Sequence, residues 1–278
     1  MVAQREPSSE DFRVITEGLD LSGAENPLAA VNGLIIPPKH VLLPAHAGAT
    51  EFSVSLNPDL PPQIDSRHQI YFADLAIGSA RPFPVAIKTY NPNNGPQNWR
   101  REVGAYDMAK RSGLNTLEPV MIANFGRGVL MATRYDDELF DLERRYRGMA
   151  PEGYEIDVDL MLSASASALA ALHGSDVIHG DMAPRNIALR RKDAQHPVVT
   201  DPETFMFPGE LDADELAAGK RLDLLQLIKE STDAISINGG NSRVIPSRES
   251  EAIRDRVTEK IMPVYQSGIG HSFRSIAS

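Results

Sequence analysis

Polar and apolar positions alternate in the first half of the chain and recur at helical spacing in the second. Residues 50–56 (TEFSVSL) alternate as a half-buried strand does. The turn-forming stretch Asn57-Pro58-Asp59-Leu60-Pro61-Pro62 follows. Two apolar runs, 69–77 and 84–90, flank Gly78-Ser79-Ala80-Arg81-Pro82 and predict an antiparallel hairpin with a longer loop. Residues 97–112 read as a helix with Trp99, Val103, Tyr106, Met108 and Ala109 near one face, stopped at Gly113. Two short strands are expected around 120–122 and 129–133, joined by 124–128. Residues 1–45 carry no clear period. There Pro37-Pro38 breaks the run 34–36, which reads as a loop or edge strand.

The second half changes character. Asp157 is placed to cap a helix rich in Ala and Leu that runs to about His173, with Gly174 after it. Residues 178–186 form a polar loop, followed by short strands at 187–189 and 198–200. Asp212 can cap a further helix whose apolar face takes Leu216, Leu224, Leu227 and Ile228. Ile253, Val257 and Ile261 stand four apart and predict an amphipathic helix over 249–262. Gly239-Gly240-Asn241-Ser242 reads as a loop. No internal repeat or low-complexity tract interrupts this order. The pattern is that of an α+β chain in two lobes: a strand-rich N-terminal lobe, 1–134, with an extra N-terminal segment, and a helical C-terminal lobe, 135–278.

Composition narrows the function. The chain has 278 residues, 42% of them apolar and 24% charged, an ordinary globular balance. Its net charge of −10 repels phosphate backbones and anionic lipid heads. No membrane partner is expected, and nucleic acid only as a specific substrate. The basic cluster Arg144, Arg145, Arg147 reads as a solvated helix face. With no cysteine, disulfides, thiolate catalysis and cysteine-ligated zinc are excluded. The polar start lacks the apolar segment of a signal peptide, and no run reaches the roughly 18 apolar residues of a membrane helix. A cytoplasmic protein is expected.

The strongest chemical signal is His179-Gly180-Asp181-Met182-Ala183-Pro184-Arg185-Asn186, set between a helix and a short strand, with Asp201 at the end of the next strand. This pattern resembles the catalytic loop and metal-binding aspartate of the protein-kinase-like superfamily, in an atypical form similar to RIO-type kinases and aminoglycoside phosphotransferases. The resemblance covers roughly residues 65–230. It implies a two-lobed kinase-like fold, with ATP and Mg2+ as cofactors. Asp181 would accept or orient the proton of the attacking hydroxyl. Asn186 and Asp201 would hold magnesium against the phosphate oxygens.

Further residues follow from the same resemblance. Pro84-Val85-Ala86-Ile87-Lys88 is similar to the family's V-A-I-K strand, so Lys88 would hold the α- and β-phosphates, and Glu102 in the next helix would pair with it. Residues 129–135 resemble the strand and hinge that receive adenine, which brings in Met131 and Thr133. Asp223, flanked by leucines, resembles the buried aspartate that braces the catalytic loop through its backbone.

The chain also departs from the pattern. Gln63-Ile64-Asp65-Ser66-Arg67-His68 stands where a glycine-rich phosphate loop belongs, leaving Ser66, Arg67 and His68, or a different ATP cap, as the phosphate contact. Asp201-Pro202-Glu203 replaces D-F-G, and Glu203 is a candidate to join the metal site. Ala183 replaces a common lysine, and Arg185 is the residue placed to compensate. The interval from Asp201 to Asp223 is short for a peptide platform, and no A-P-E follows. An active atypical kinase is the expected function, with the acceptor hydroxyl on another protein, on the chain itself or on an RNA end. A small-molecule phosphotransferase and a pseudokinase scaffold are the alternatives.

Overall fold

A computed structural model of the chain describes residues 35–36, 52–60, 63–64, 69–79, 81–90, 98–111, 113–117, 119–124, 129–237 and 247–276. It forms two compact units, Met1–Val103 with Glu118–Asp136, and Gly104–Leu117 with Asp137–Ser278.

The first unit is built on one sheet. The strands are β1 (Ile35–Ile36), β2 (Phe52–Leu56), β3 (Gln63–Ile64), β4 (Gln69–Ile77), β5 (Phe83–Tyr90), β6 (Pro119–Asn124) and β7 (Val129–Arg134). They run in the order β1-β2-β4-β5-β7-β6, with β3 also paired to β4, and every pairing is antiparallel. The hairpin expected at 69–90 is present. Asn57 holds the turn after β2 by accepting the Asp59 N–H on its side chain at 2.9 Å. Alternation fixes the faces. Tyr71, Ala73, Leu75 and Ile77 of β4 join Val85 and Ile87 of β5 and Val54 of β2 in the core. Lys88, one residue on from Ile87, therefore lies on the opposite face and pairs in register with Met131. At the edge, Ile35–Ile36 pairs with β2 before the Pro37-Pro38 pair, a position where a strand must stop.

Helix α1 (Asn98–Arg111) carries the division between the two units. Its buried residues are Glu102, Ala105, Tyr106 and Ala109, a clean i, i+3, i+4, i+7 stripe. The apolar reading placed Val103 and Met108 on that face; Val103 is half-buried and Met108 exposed. A charged residue, Glu102, heads the stripe, and a hydrophobicity pattern misplaces it for that reason.

The second unit is helical around a small sheet. It contains β8 (Phe140–Asp141), α2 (Leu142–Tyr146), α3 (Val158–Gly174), β9 (Ile187–Leu189), β10 (Val198–Val199), α4 (Ala213–Ser236) and α5 (Ser247–Ile276). The three strands run β10-β9-β8, antiparallel. Asp157 caps α3 by accepting from Asp159 and Leu160 N–H, and Asp212 with Glu215 forms a capping box on α4. Gly174 is the last residue of α3 rather than its stop. The left-handed residue after it is Asp176, φ 56°.

Helix α5 runs well past the expected end at 262. It continues through Pro263, whose missing N–H and ring clash ordinarily break a helix. Val257, Ile261 and Tyr265 of α5 are buried with Leu162, Leu169 and Leu172 of α3 and Leu227 of α4. Gly268 allows the close approach: a Cβ there would stand 2.5 Å from the Ala170 Cβ. The cluster read as a solvated face is also corrected in part. Arg145 is buried and donates to the carbonyls of Phe140 (3.1 Å), Tyr154, Leu189 and Arg190 (3.2 Å), tying α2 to β8 and β9. Arg144 does stay exposed, paired with Asp141, whereas Arg147 is half-buried and paired with Glu143.

The chain is thus α+β, strand-rich first and helix-rich after. Among the described residues no helix is long and apolar enough to cross a membrane.

Candidate functional site

The candidate residues fall into two sets, one in each unit. In the first unit Lys88 Nζ lies 2.9 Å from Glu102 Oε2, and the Glu102 side chain is only 2% exposed. A carboxylate buried to that degree needs a partner. Besides Lys88, the Tyr90 hydroxyl donates to Oε2. Tyr90 further contacts the Met131 sulfur at 3.9 Å, and its ring lies 5.5 Å from the Lys88 ammonium. Strand pleating puts Lys88, Tyr90 and Met131 on one face of the sheet, and α1 brings Glu102 down onto it. Thr133, also buried, reaches the Ala86 carbonyl at 3.4 Å. Ser66, Arg67 and His68 lie outside the described residues.

In the second unit the loop 179–186 is held mainly from behind. Asp223, 2% exposed, accepts the His179 N–H at 2.7 Å and the Gly180 N–H at 2.9 Å on its two oxygens. Gly180 sits at φ +79°, and a Cβ there would meet the Thr204 carbonyl at 2.8 Å, so this position takes glycine alone. Behind Asp223 stands His173, its Nε2 3.2 Å from Asp223 Oδ2 and its Nδ1 2.8 Å from the Tyr265 hydroxyl. Burial and the nearby Asp223 carboxylate push the Tyr265 phenol up to about 12, so it remains a donor. Burial also holds His173 below the usual imidazole value, against the pull of Asp223. The neutral ring then accepts from Tyr265 at Nδ1 and donates to Asp223 at Nε2.

His179 is fully buried as well, and burial lowers its pKa despite three nearby carboxylates, Asp223, Asp201 and Asp181. Its Nδ1 accepts the Asp181 N–H at 3.3 Å, and its Nε2 donates to the Thr200 carbonyl at 3.2 Å. The ring thus ties the loop to the strand end that precedes Asp201. The Thr200 N–H donates to the Asn186 carbonyl at 2.9 Å, a second tie across the same gap.

Asp181 is the most heavily bonded carboxylate of the loop. Arg185 Nη2 donates to both of its oxygens, at 2.8 and 2.9 Å. Gln226 Nε2 donates to Oδ1 at 2.8 Å and Asn186 Nδ2 to Oδ2 at 3.2 Å. Burial pushes the Asp181 carboxyl up, but the Arg185 guanidinium and the Gln226 and Asn186 amides outweigh it and hold the group below its ordinary value. Asn186 also donates to the Asp181 carbonyl at 2.8 Å. Both amide contacts use its nitrogen, which turns its carbonyl oxygen toward the other side. Asp201 adopts a left-handed backbone, φ 56°, that Asp tolerates better than most residues, and directly precedes the 3-10 turn Pro202–Thr204 that carries half-buried Glu203.

The structure thus brings Asp181, Arg185 and Asn186 into mutual contact and joins Lys88 to Glu102. Gln226, His173 and Tyr265 were not singled out from the sequence. His173 sits in the Leu172-His173-Gly174 run ahead of the loop, and its place there was the one signal available.

No family model and no curated protein matches the chain. Solved structures do match. One, described as "WaaP in complex with acyl carrier protein", is 13% identical, with a TM-score of 0.42, over 76% of this chain and 90% of that chain.

Proposed function

We propose that this protein is an atypical kinase-like phosphotransferase that moves the γ-phosphate of ATP to a hydroxyl group in the presence of Mg2+. The observation that carries the reading is Asp181. It is a carboxylate fixed on a loop whose backbone is bonded to a buried aspartate, with Asn186 and the Asp201 strand end tied to the same loop. Its suppressed pKa keeps it ionised at neutral pH, as a group that takes a hydroxyl proton must be. Phosphoryl transfer asks the protein mostly for position and charge, which such a loop supplies.

Magnesium suits the donor set. It takes hard oxygen ligands, one or two carboxylates with the rest from phosphate and water. Asn186 presents its amide oxygen because its nitrogen is engaged by Asp181, and Asp201 and Glu203 add carboxylates. Asn186, Asp201 and Glu203 would hold the ion, and it would supply positive charge against the phosphates. Lys88, oriented by Glu102 and Tyr90, would hold phosphate oxygens by charge. Met131 and Thr133 lie on the strand that would receive the adenine.

A small acceptor is favoured over a protein by the segment that follows Asp201. Only residues 205–212 separate the 3-10 turn from α4. Phe205 and Phe207 are buried, and Met206 pairs through its backbone with Ile178 in both directions. A segment bound down in this way offers no platform for an extended peptide.

The test is incubation with γ-labelled ATP and Mg2+ beside Asp181→Ala, with amino sugars, other polyols and an unfolded protein as acceptors. Turnover that Asp181→Ala loses supports the reading. Stabilisation by Mg·ATP without turnover to any acceptor or water turns it toward a nucleotide-binding scaffold, and a melting point that Mg·ATP leaves unmoved ends it.

A further inference from the structure

Helix α4 does more than carry Asp223. Asp223, Gln226 and Glu230 follow one another at intervals of three and four residues, one line along the helix. Each meets a successive part of the loop. Asp223 holds the His179 and Gly180 N–H groups, Gln226 donates to Asp181 Oδ1 at 2.8 Å, and Glu230 Oε2 lies 3.8 Å from Arg185 Nη1.

Asp181 has two oxygens with about two acceptor positions each. Arg185 and Gln226 occupy Oδ1, and Arg185 and Asn186 occupy Oδ2. All four positions are filled, so a hydroxyl can reach this carboxylate only when one donor leaves. The donors differ in their freedom to do so. The Arg185 side chain is 45% exposed and has a second carboxylate, Glu230, within reach. Gln226 is half-buried and follows Asp223 by one turn on a helix seated in the core by Leu227 and Ile228.

We propose that Gln226 is a positioning residue for the phosphotransfer proposed above: it pins the Asp181 carboxylate through Oδ1 so that the carboxylate is presented to the acceptor once Arg185 swings to Glu230. The inference rests on that reading of the protein. In the step it serves, the acceptor oxygen bonds to the γ-phosphorus as the bond to the β,γ-bridging oxygen breaks. ADP departs, and the acceptor proton passes to the Asp181 carboxylate. Gln226 itself touches neither substrate nor nucleotide. Its effect is on where the carboxylate points, so it belongs to turnover and not to nucleotide affinity.

The experiment measures Mg·ATP hydrolysis, with water as acceptor, for Gln226→Met and Gln226→Glu. Methionine keeps the shape and removes the donor, while glutamate sets a second carboxylate against Asp181. The expected loss in kcat is about tenfold to a hundredfold for Gln226→Met, the worth of one hydrogen bond to a charged group, and larger for Gln226→Glu. KM for Mg·ATP stays within about twofold. In an Asp181→Asn background Gln226→Met has no further effect, because the group it positions is gone. A second measurement needs no turnover: the Gln226 side-chain amide resonances, identified by their loss in Gln226→Met, shift in Asp181→Asn. Unchanged kcat in Gln226→Met, a loss confined to KM, equal losses in both backgrounds, or amide resonances indifferent to Asp181→Asn overturns the role of Gln226 alone. A wild-type protein without Mg·ATP turnover overturns the phosphotransfer reading beneath it.

Discussion

In the first unit a charge on a strand meets a charge on a helix. Lys88 and Glu102 share one contact of 2.9 Å, with Tyr90 as a third member. In the second unit the buried charge is spent on backbone. Asp223 takes two successive N–H groups of the loop and is backed by His173 and, through it, Tyr265 of α5. A side-chain pair fixes two points and leaves each partner able to turn to a ligand. A carboxylate on backbone amides fixes the path of the chain and has nothing left over. The difference fits the work proposed for each: an ammonium that must exchange its partner for phosphate, and a loop that must not move while Asp181 acts.

The largest effect expected is from Asp223→Ala. It leaves the His179 and Gly180 N–H groups without the Asp223 acceptor in a buried place and strips His173 Nε2 of the same carboxylate. We expect a loss of about 3–5 kcal/mol, read as a lowered melting temperature, with faster hydrogen exchange in the second unit and little change in the first. Uniform loss of protection across both units would show that the brace is not local and would break the contrast.

Lys88→Met comes next. It takes the Lys88 ammonium away from the buried Glu102 carboxylate. About 2–3 kcal/mol of stability should go, since removing one member strands the other charge. Exchange should now quicken around β5 and the start of α1, with the loop 179–186 unaffected. If Lys88→Met also changes protection at His179 and Gly180, the two sets are coupled more closely than their separate bonding implies.

Much of this arrangement was legible because its chemistry is tied to backbone form. The loop motif, the capping aspartates Asp157 and Asp212 and the alternating strands each leave a local pattern. Gln226 left none. On an exposed helix face a glutamine is the commonest kind of residue, and only the seating of α4 turns it toward Asp181. Arg145 was misread for the opposite reason: three nearby arginines suggest solvent, yet Tyr154, Leu189 and Arg190 place carbonyls around one of them. The face of α1 was displaced by Glu102, whose burial depends on Lys88 and Tyr90 from elsewhere in the chain. The end of α5 was expected at 262, where the apolar spacing of Ile253, Val257 and Ile261 runs out, but the helix continues through Pro263 with Tyr265 buried beside Val257 and Ile261. Ser66, expected from the sequence as a phosphate contact, lies outside the described residues.

Tyr90→Phe probes the first unit more gently. Only the hydroxyl that donates to Glu102 is lost, and Lys88 remains. The expected cost is about 1.5 kcal/mol, the low end for a bond to a charged group. The double variant with Lys88→Met should cost more than the two singles added, because both changes fall on the same buried carboxylate. Simple additivity would mean that Tyr90 holds its place by packing against Met131 and not through the carboxylate.

The mildest perturbation changes no residue. Burial lowers the pKa of both His173 and His179, while in the unfolded chain each titrates near 6.5. Below that value the unfolded chain binds protons that the folded one refuses, so stability falls as pH drops through 6.5 toward the folded values. Above 6.5 both forms are neutral there, and the contribution is whole. Asp181 acts in a separate window. Its lowered pKa yields stability that persists until the pH falls below the ordinary carboxylate value of 3.8. Between about pH 6.5 and 4.5 the histidines therefore dominate the second unit, and the described residues of the first unit contain none. Hydrogen exchange at pH 7.5 and 5.5 should show the second unit opening first on acidification, with a smaller change in His173→Gln. Loss of protection beginning in the first unit, or a flat response in both, would mean that these rings take up protons without unfolding. The neutral tautomer assigned between Tyr265 and Asp223 would then be wrong.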